Sequence, residues 1–246
     1  MKILLCSDLS NRIPKIPKEI IDSCDFVLLA GDITIGARSL KRTISVFEKL
    51  RDLFPDPLPV FLIPGNHDIP LIAQTPEFFP KNFVQMHNKS LIFGINGFEK
   101  EILIIGFGGS TPIPGFPTNE PGPNYFTFES DKIYNSLKAL ATEKGSFFSE
   151  NYFTILFVHE PPFNSLLDIT HHKEHVGSKS IRSIIEEFQP NIAVAGHIHE
   201  SPGIDHINQT IIVNAGEAKY SNYAIFNIKE KMGNKIPEID VKLYSQ

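Results

Sequence analysis

The chain alternates between short apolar runs and polar stretches, and five of the runs stop in the same way. Ile3-Leu4-Leu5-Cys6 leads to Ser7-Asp8, Val27-Leu28-Leu29-Ala30 to Gly31-Asp32, and Val60-Phe61-Leu62-Ile63 to Pro64-Gly65-Asn66-His67-Asp68. Further on, Ile155-Leu156-Phe157-Val158 leads to His159, and Ile192-Ala193-Val194-Ala195 to Gly196-His197-Ile198-His199. Apolar runs of this length, bounded by turn signals, read as buried strands. Each delivers an Asp, Asn or His at its carboxyl end, where open α/β sheets bind their ligands.

Between these runs the spacing of apolar positions becomes helical. Ile16, Ile20, Ile21 and Cys24 share a face in residues 16–24. In residues 38–54, beginning at Arg38, Leu40, Ile44, Phe47, Leu50 and Phe54 oppose Lys41, Arg42, Glu48, Lys49 and Arg51. Ile133, Leu137, Leu140 and Ala141 align in residues 131–144, ending at Lys144. Two consecutive β-α-β units predict a parallel half-sheet with right-handed crossovers. Residues 83–86, 91–95 and 101–107 are short strand candidates separated by Asn-Lys, Asn-Gly and Glu-Lys, which predicts hairpins and a second, more antiparallel sheet.

Residues 108–128 hold many Gly and Pro without periodicity and read as an irregular loop beside a site. Ser178 is placed to cap a helix running to about Phe188. Residues 210–214, 222–228 and 239–244 read as three final strands, with Gly216 and Gly233 in their connections. No repeat, low-complexity tract or linker divides the chain, so a single domain over residues 1–246 is expected.

The chain of 246 residues, 41% hydrophobic and 21% charged, can bury a sizeable core as a soluble α/β protein. A net charge of −5 without a dense Lys/Arg cluster argues against an extended nucleic-acid footprint, while leaving room for a nucleotide groove. Cys6 and Cys24 make no disulfide framework and fit reduced thiols. No run approaches the roughly 18 apolar residues of a membrane span, and the first strand begins without a signal-like apolar region, so a cytoplasmic protein is expected.

Asp, Asn and His offer oxygen and nitrogen donors of borderline softness, which suit Mn²⁺, Fe or Zn²⁺ better than an all-oxygen Mg²⁺ or Ca²⁺ cage. His197 and His199, one residue apart, point the same way if the chain there is extended. A carboxylate can bridge two ions, and a pair roughly 3.5–4 Å apart clamps a phosphoryl group during in-line displacement.

The order Ser7-Asp8, Gly31-Asp32, Gly65-Asn66-His67-Asp68, His159 and Gly196-His197-Ile198-His199 resembles the calcineurin-like metallophosphoesterase superfamily. His175-Val176-Gly177-Ser178 and Val213-Asn214-Ala215-Gly216 are similar to a compact bacterial and archaeal branch of it. The resemblance implies a four-layer α/β/β/α sandwich with two mixed sheets and a dinuclear metal site at the carboxyl ends of the strands. It implies Asp8, Asp32 and His199 on one metal, and Asp32, Asn66, His159 and His197 on the other, with Asp32 bridging. His67 would lie outside the ligands and contact a phosphate oxygen or protonate the leaving group. Asp68 reads as structural, the group His171, His172 and His175 as a solvated loop, and Gly177-Ser178 as a helix cap that could also meet a phosphate.

This chain departs from the superfamily at the first motif, where Asp8-Leu9-Ser10 replaces the usual Asp-x-His and leaves water or Asn11 to fill the place. The resemblance implies a metal-dependent phosphoesterase, with one or two divalent ions and Mn²⁺ best suited. Its substrate is a small phosphodiester or phosphomonoester, a nucleotide included. The competing readings are a metal-binding scaffold weakened at Ser10 and a nuclease of the same superfamily, the latter disfavoured by the acidic balance. The oligomeric state is left open.

Overall fold

The computed structural model describes residues 1–36, 40–74, 77–117, 122, 124–143, 152–230 and 237–245. Arg38, Lys144, Gly233 and part of the 108–128 loop lie outside them. The first half contains β1 (Lys2–Cys6), α1 (Lys18–Ile21), β2 (Phe26–Ala30), α2 (Leu40–Leu53), β3 (Val60–Ile63), β4 (Phe83–Gln85), β5 (Lys89–Phe93) and β6 (Glu101–Phe107). The second contains α3 (Ser130–Glu143), β7 (Tyr152–Val158), α4 (Lys179–Phe188), β8 (Ile192–Ala195), β9 (Gly203–Ile207), β10 (Thr210–Asn214), β11 (Tyr223–Lys229) and β12 (Glu238–Tyr244).

The strands form two six-stranded mixed sheets, in the orders β12-β11-β1-β2-β3-β4 and β5-β6-β7-β8-β10-β9. Alternating side chains of each central strand serve two cores. From β1 and β2, Ile3, Leu5, Phe26 and Leu28 meet Ile104, Phe153, Ile155 and Val194 of the other sheet. The intervening Leu4, Val27 and Leu29 face outward to Val46, Phe47 and Leu50 of α2. On the far side Leu103, Leu156 and Ala193 pack on Leu137 of α3 and Ile181, Ile184 and Ile185 of α4. The layers are therefore α/β/β/α, because continuous apolar runs require cover on both faces.

Several expectations are corrected. Residues 83–86 form no hairpin with residues 91–95: β4 lies parallel to β3, and β5 starts the other sheet. The hairpin is β5–β6. The second sheet is no more antiparallel than the first, since each has three parallel pairs (β1–β2, β2–β3, β3–β4; β6–β7, β7–β8, β8–β10) and two antiparallel ones. The 16–24 helix shrinks to four residues, held back by Pro17, whose extended ψ of 135° puts it outside the helix. In α2 the buried face is Thr43, Val46, Phe47 and Leu50, with Leu40 exposed. The unforeseen β9 pairs antiparallel with β10 through a two-residue turn at Asn208, whose φ is 52°.

Candidate metal centre

The carboxyl ends of β1, β2 and β3 from one sheet meet those of β7 and β8 from the other. The loops leaving them turn at once. Asp8, Asp32 and His197 take φ values of 56°, 48° and 65°, a left-handed region uncommon outside glycine that Asp and His enter more readily than most residues. His197 is the middle of a three-residue turn in which the Ile198 amide donates to the Gly196 carbonyl at 2.7 Å. The two histidines are thus aimed by a tight turn and not by an extended chain, which corrects the reading from their spacing.

Backbone bonds hold the loops in line. The amides of Asp8, Ser10 and Asn11 donate to the carbonyls of Gly31, Asp32 and Ile33 at 3.0, 2.9 and 3.0 Å. Fully buried Asp68 accepts from the amides of Ile33, Thr34 and Gly65 and from the Thr34 hydroxyl, at 2.7–3.0 Å. It ties the Asp32 loop to the Gly65 loop, a structural role that spans two loops. Gly31, at φ 91°, and Gly65 make this approach possible, since a Cβ on Gly31 would meet the Gly65 Cα at 2.8 Å.

Asp8, Asp32 and His159, all buried, bring one ligand atom each to within 4.8 Å of one another. His159 Nδ1 lies 2.7 Å from the Ala30 carbonyl, which only accepts, so this nitrogen carries the proton. In the neutral ring Nε2 then presents a lone pair, 3.0 Å from Asn66 Oδ1 and 3.7 Å from Asp32 Oδ2. Three acceptors facing one another in a buried space form the donor set of a cation, and Asp-His-Asn chemistry fits a divalent transition metal. His197 stands against His159, ring centroids 5.0 Å apart.

On the other side His199 Nε2 is 3.1 Å from Asp8 Oδ1, while its Nδ1 is 3.1 Å from Glu217 Oε1, which also pairs with Lys219. Asp8 Oδ2 accepts the His197 amide at 3.1 Å, and Asp32 Oδ1 the His67 amide at 2.9 Å. Ser10 is half-buried, and Asn11 Nδ2 donates to the Ile35 carbonyl at 2.9 Å.

Burial, with the charges of Asp8 and Asp68, pushes the Asp32 carboxyl well above its ordinary range. Burial also works upward on Asp8, but the His199 hydrogen bond and the nearby imidazoles bring it below that range. His67 and His197 are pushed down to about 4 and about 3 by burial and by His159. Burial opposes the charged form of His199, yet Asp8 and Glu217 hold it above the usual imidazole value. One carboxylate strongly favouring its proton beside another that resists it is the arrangement that a bound cation relieves.

A cleft of about 510 Å³ opens over Asp32, Asn66, His67, His197 and His199, walled by Thr111 to Pro114, Glu160 and Val176. The sequence reading missed Glu160 and Glu217. Each directly follows a motif residue, Glu160 after His159 and Glu217 after Gly216, and that adjacency was the available signal. His171 and His172 are exposed and do not line the cleft; His175 donates to buried Asp168 at 2.6 Å. Ser178 caps α4, accepting from the Ile181 amide at 3.3 Å.

A family model described as metallophosphoesterase, calcineurin superfamily, matches residues 34–236, which includes Asn66, His159, His197 and His199. An uncharacterized protein of Methanocaldococcus jannaschii is 36% identical over 236 residues, 94% of either chain. Among solved structures, protein TT1561 of Thermus thermophilus matches with a TM-score of 0.63 at 17% identity, covering 97% of both chains. A 5′-nucleotidase candidate of Staphylococcus aureus matches with a TM-score of 0.65 at 12% identity, over 99% of this chain and 54% of its own.

Proposed function

The chain belongs to the metallophosphoesterase family of the calcineurin superfamily, and on that premise we propose a metal-dependent phosphoesterase acting on a small phosphodiester or phosphomonoester, nucleotides included. The observation that carries this reading is the convergence of Asp8, Asp32 and His159 within 4.8 Å beneath an open cleft. We assign Asp32, Asn66, His159 and His197 to one divalent ion, and Asp8, Asp32 and His199 to a second, weaker position. Mn²⁺ suits these donors best. Such ions supply charge to neutralise a phosphoryl group and activate a water.

The protein's own groups do the rest. The Ala30 carbonyl fixes the His159 tautomer, and Glu217 aims His199 Nε2 at Asp8, as outer carboxylates do for metal-binding histidines. His67, tied by its amide to Asp32, lines the cleft and is neutral near pH 7, so it offers an N–H to a phosphate oxygen. A phosphate beside it raises its proton affinity, which allows it to serve the leaving alcohol. One domain over residues 1–246 and a cytoplasmic setting complete the proposal, the latter supported by the free Cys6 and Cys24. No helix among the described residues is long and apolar enough to cross a membrane.

A second reading, a metal-binding scaffold without turnover, rests on Ser10, which leaves the Asp8 position without its usual imidazole. A panel of phosphomonoesters and phosphodiesters with Mn²⁺, Fe²⁺ and Zn²⁺ separates the two. The enzyme reading expects hydrolysis of at least one ester; metal binding without any hydrolysis favours the scaffold.

A further inference from the structure

The cleft is larger than a phosphate needs, and its outer part has a different character from its floor. Beyond Asp32, Asn66 and the histidines, the lining carries the apolar Pro112, Ile113, Pro114, Val176 and Ile198, with Thr111, Glu160, Thr170 and Glu200 as its other polar members. Among the described residues lining it there is no Lys or Arg, so a second or third phosphate group finds no cation there.

This wall is built rigidly. Buried Asn124 accepts the Ile113 amide at 2.6 Å and donates to the carbonyls of Ile113 and Phe116 at 2.7 and 2.9 Å, which leaves the Ile113 side chain as its free face. Buried Glu160, next in sequence to His159, accepts the Thr111 amide at 2.9 Å and the Thr111 hydroxyl at 2.7 Å. The Phe126 amide donates to the Asn66 carbonyl at 2.9 Å, so the same loop is fastened to the floor of the site.

We propose that Ile113, with Pro112 and Pro114, forms a subsite for an aromatic ring on the alcohol part of the phosphoester, a nucleobase or aryl group, and that Glu160 positions this subsite through Thr111. The proposal rests on the phosphoesterase reading for the substrate's phosphate. A ring is the favoured occupant because it buries much apolar area for few restricted bonds against a wall that is already ordered.

The test compares kcat/KM for uridine 5′-phosphate and ribose 5-phosphate with Mn²⁺. Both lose a primary alcohol, so their ratio reports on the base and not on the chemistry. The ratio should exceed one, fall by roughly tenfold or more in Ile113→Asp as an apolar contact is lost, survive in Ile113→Leu, and fall in Thr111→Val. Metal content by elemental analysis should stay level in all three variants. A ratio near one, or one indifferent to Ile113→Asp and Thr111→Val, overturns the subsite while leaving the phosphoesterase reading intact. Should neither ester be hydrolysed, calorimetry on the Mn²⁺-loaded protein decides. Nucleotide bound more tightly than inorganic phosphate, with the difference lost in Ile113→Asp, supports the subsite; equal affinities overturn it.

Discussion

Nε2 of His159, on a loop from one sheet, lies 3.7 Å from Oδ2 of Asp32, on a loop from the other. The candidate centre therefore sits on the seam of the sandwich, and an ion bound there also fastens the two sheets together. Adding Mn²⁺ should raise the melting temperature and EDTA should lower it, since a ligand at 100 times its Kd adds about 2.7 kcal/mol. His159→Ala should remove most of that response in differential scanning fluorimetry. An unchanged Mn²⁺ shift in the variant would take His159 out of the site.

His67 touches Asp32 through its backbone, so its imidazole is free to face the cleft. His67→Ala should keep the metal content and lower kcat by about 10²–10⁴-fold, the usual worth of acid–base help. Loss of metal on this substitution would make the side chain a ligand instead.

Ser10 stands where the superfamily usually places an imidazole, and its amide is anchored on the Asp32 carbonyl at 2.9 Å. Ser10→His should tighten the weaker metal position and, where that position limits turnover, speed hydrolysis. Isothermal titration with Mn²⁺ measures the first effect. Affinity that does not move would show that residue 10 is not directed at the Asp8 position.

Burial raises the Glu160 carboxyl from an ordinary 4.5 to about 7. Between those values the folded protein keeps a proton that the unfolded chain releases, so this group makes stability fall as pH rises, with the penalty complete above about pH 7. At about 1.36 kcal/mol per unit the penalty is on the order of 3 kcal/mol as an upper bound. Glu160→Gln keeps both bonds to Thr111, with the hydroxyl reversed to accept. In chelated protein the melting temperature of Glu160→Gln relative to wild type should therefore rise by several degrees from pH 5 to pH 8. A pH-independent difference would contradict the raised carboxyl.

The strand ends were legible because each couples a buried apolar run to a residue that seldom ends one without reason. Val60 to Ile63 followed by Pro64 and Gly65 announces both the strand and the loop. The α4 helix was equally clear, with Ser178 as its cap and Ile181, Ile184, Ile185 and Phe188 on one face. What escaped was set by distant partners. Phe83 to Gln85 is too short to declare which sheet it joins, and its place beside β3 depends on bonds to residues about twenty positions away. Gly203 to Ile207 is a half-exposed edge strand with no apolar run to reveal it. Glu217 gains a role only when the 214–220 segment folds back on Ser7 and Asp8, and Glu160 only when Thr111 arrives from another loop. His197 and His199 both line the cleft, but the turn that aims them lies in the φ of His197, which spacing alone does not disclose.

The central claim, that the cross-sheet cluster of Asp8, Asp32, Asn66, His159, His197 and His199 binds a divalent metal that the protein uses on phosphoesters, is tested most directly by titrating metal-stripped protein with Mn²⁺ while following bound metal and phosphoester hydrolysis in the same sample. The account predicts no turnover in the stripped protein, activity that rises with bound Mn²⁺ in two unequal steps, and loss of both binding and turnover in Asp32→Asn. Hydrolysis that persists in the stripped protein, or full binding in Asp32→Asn, would contradict it.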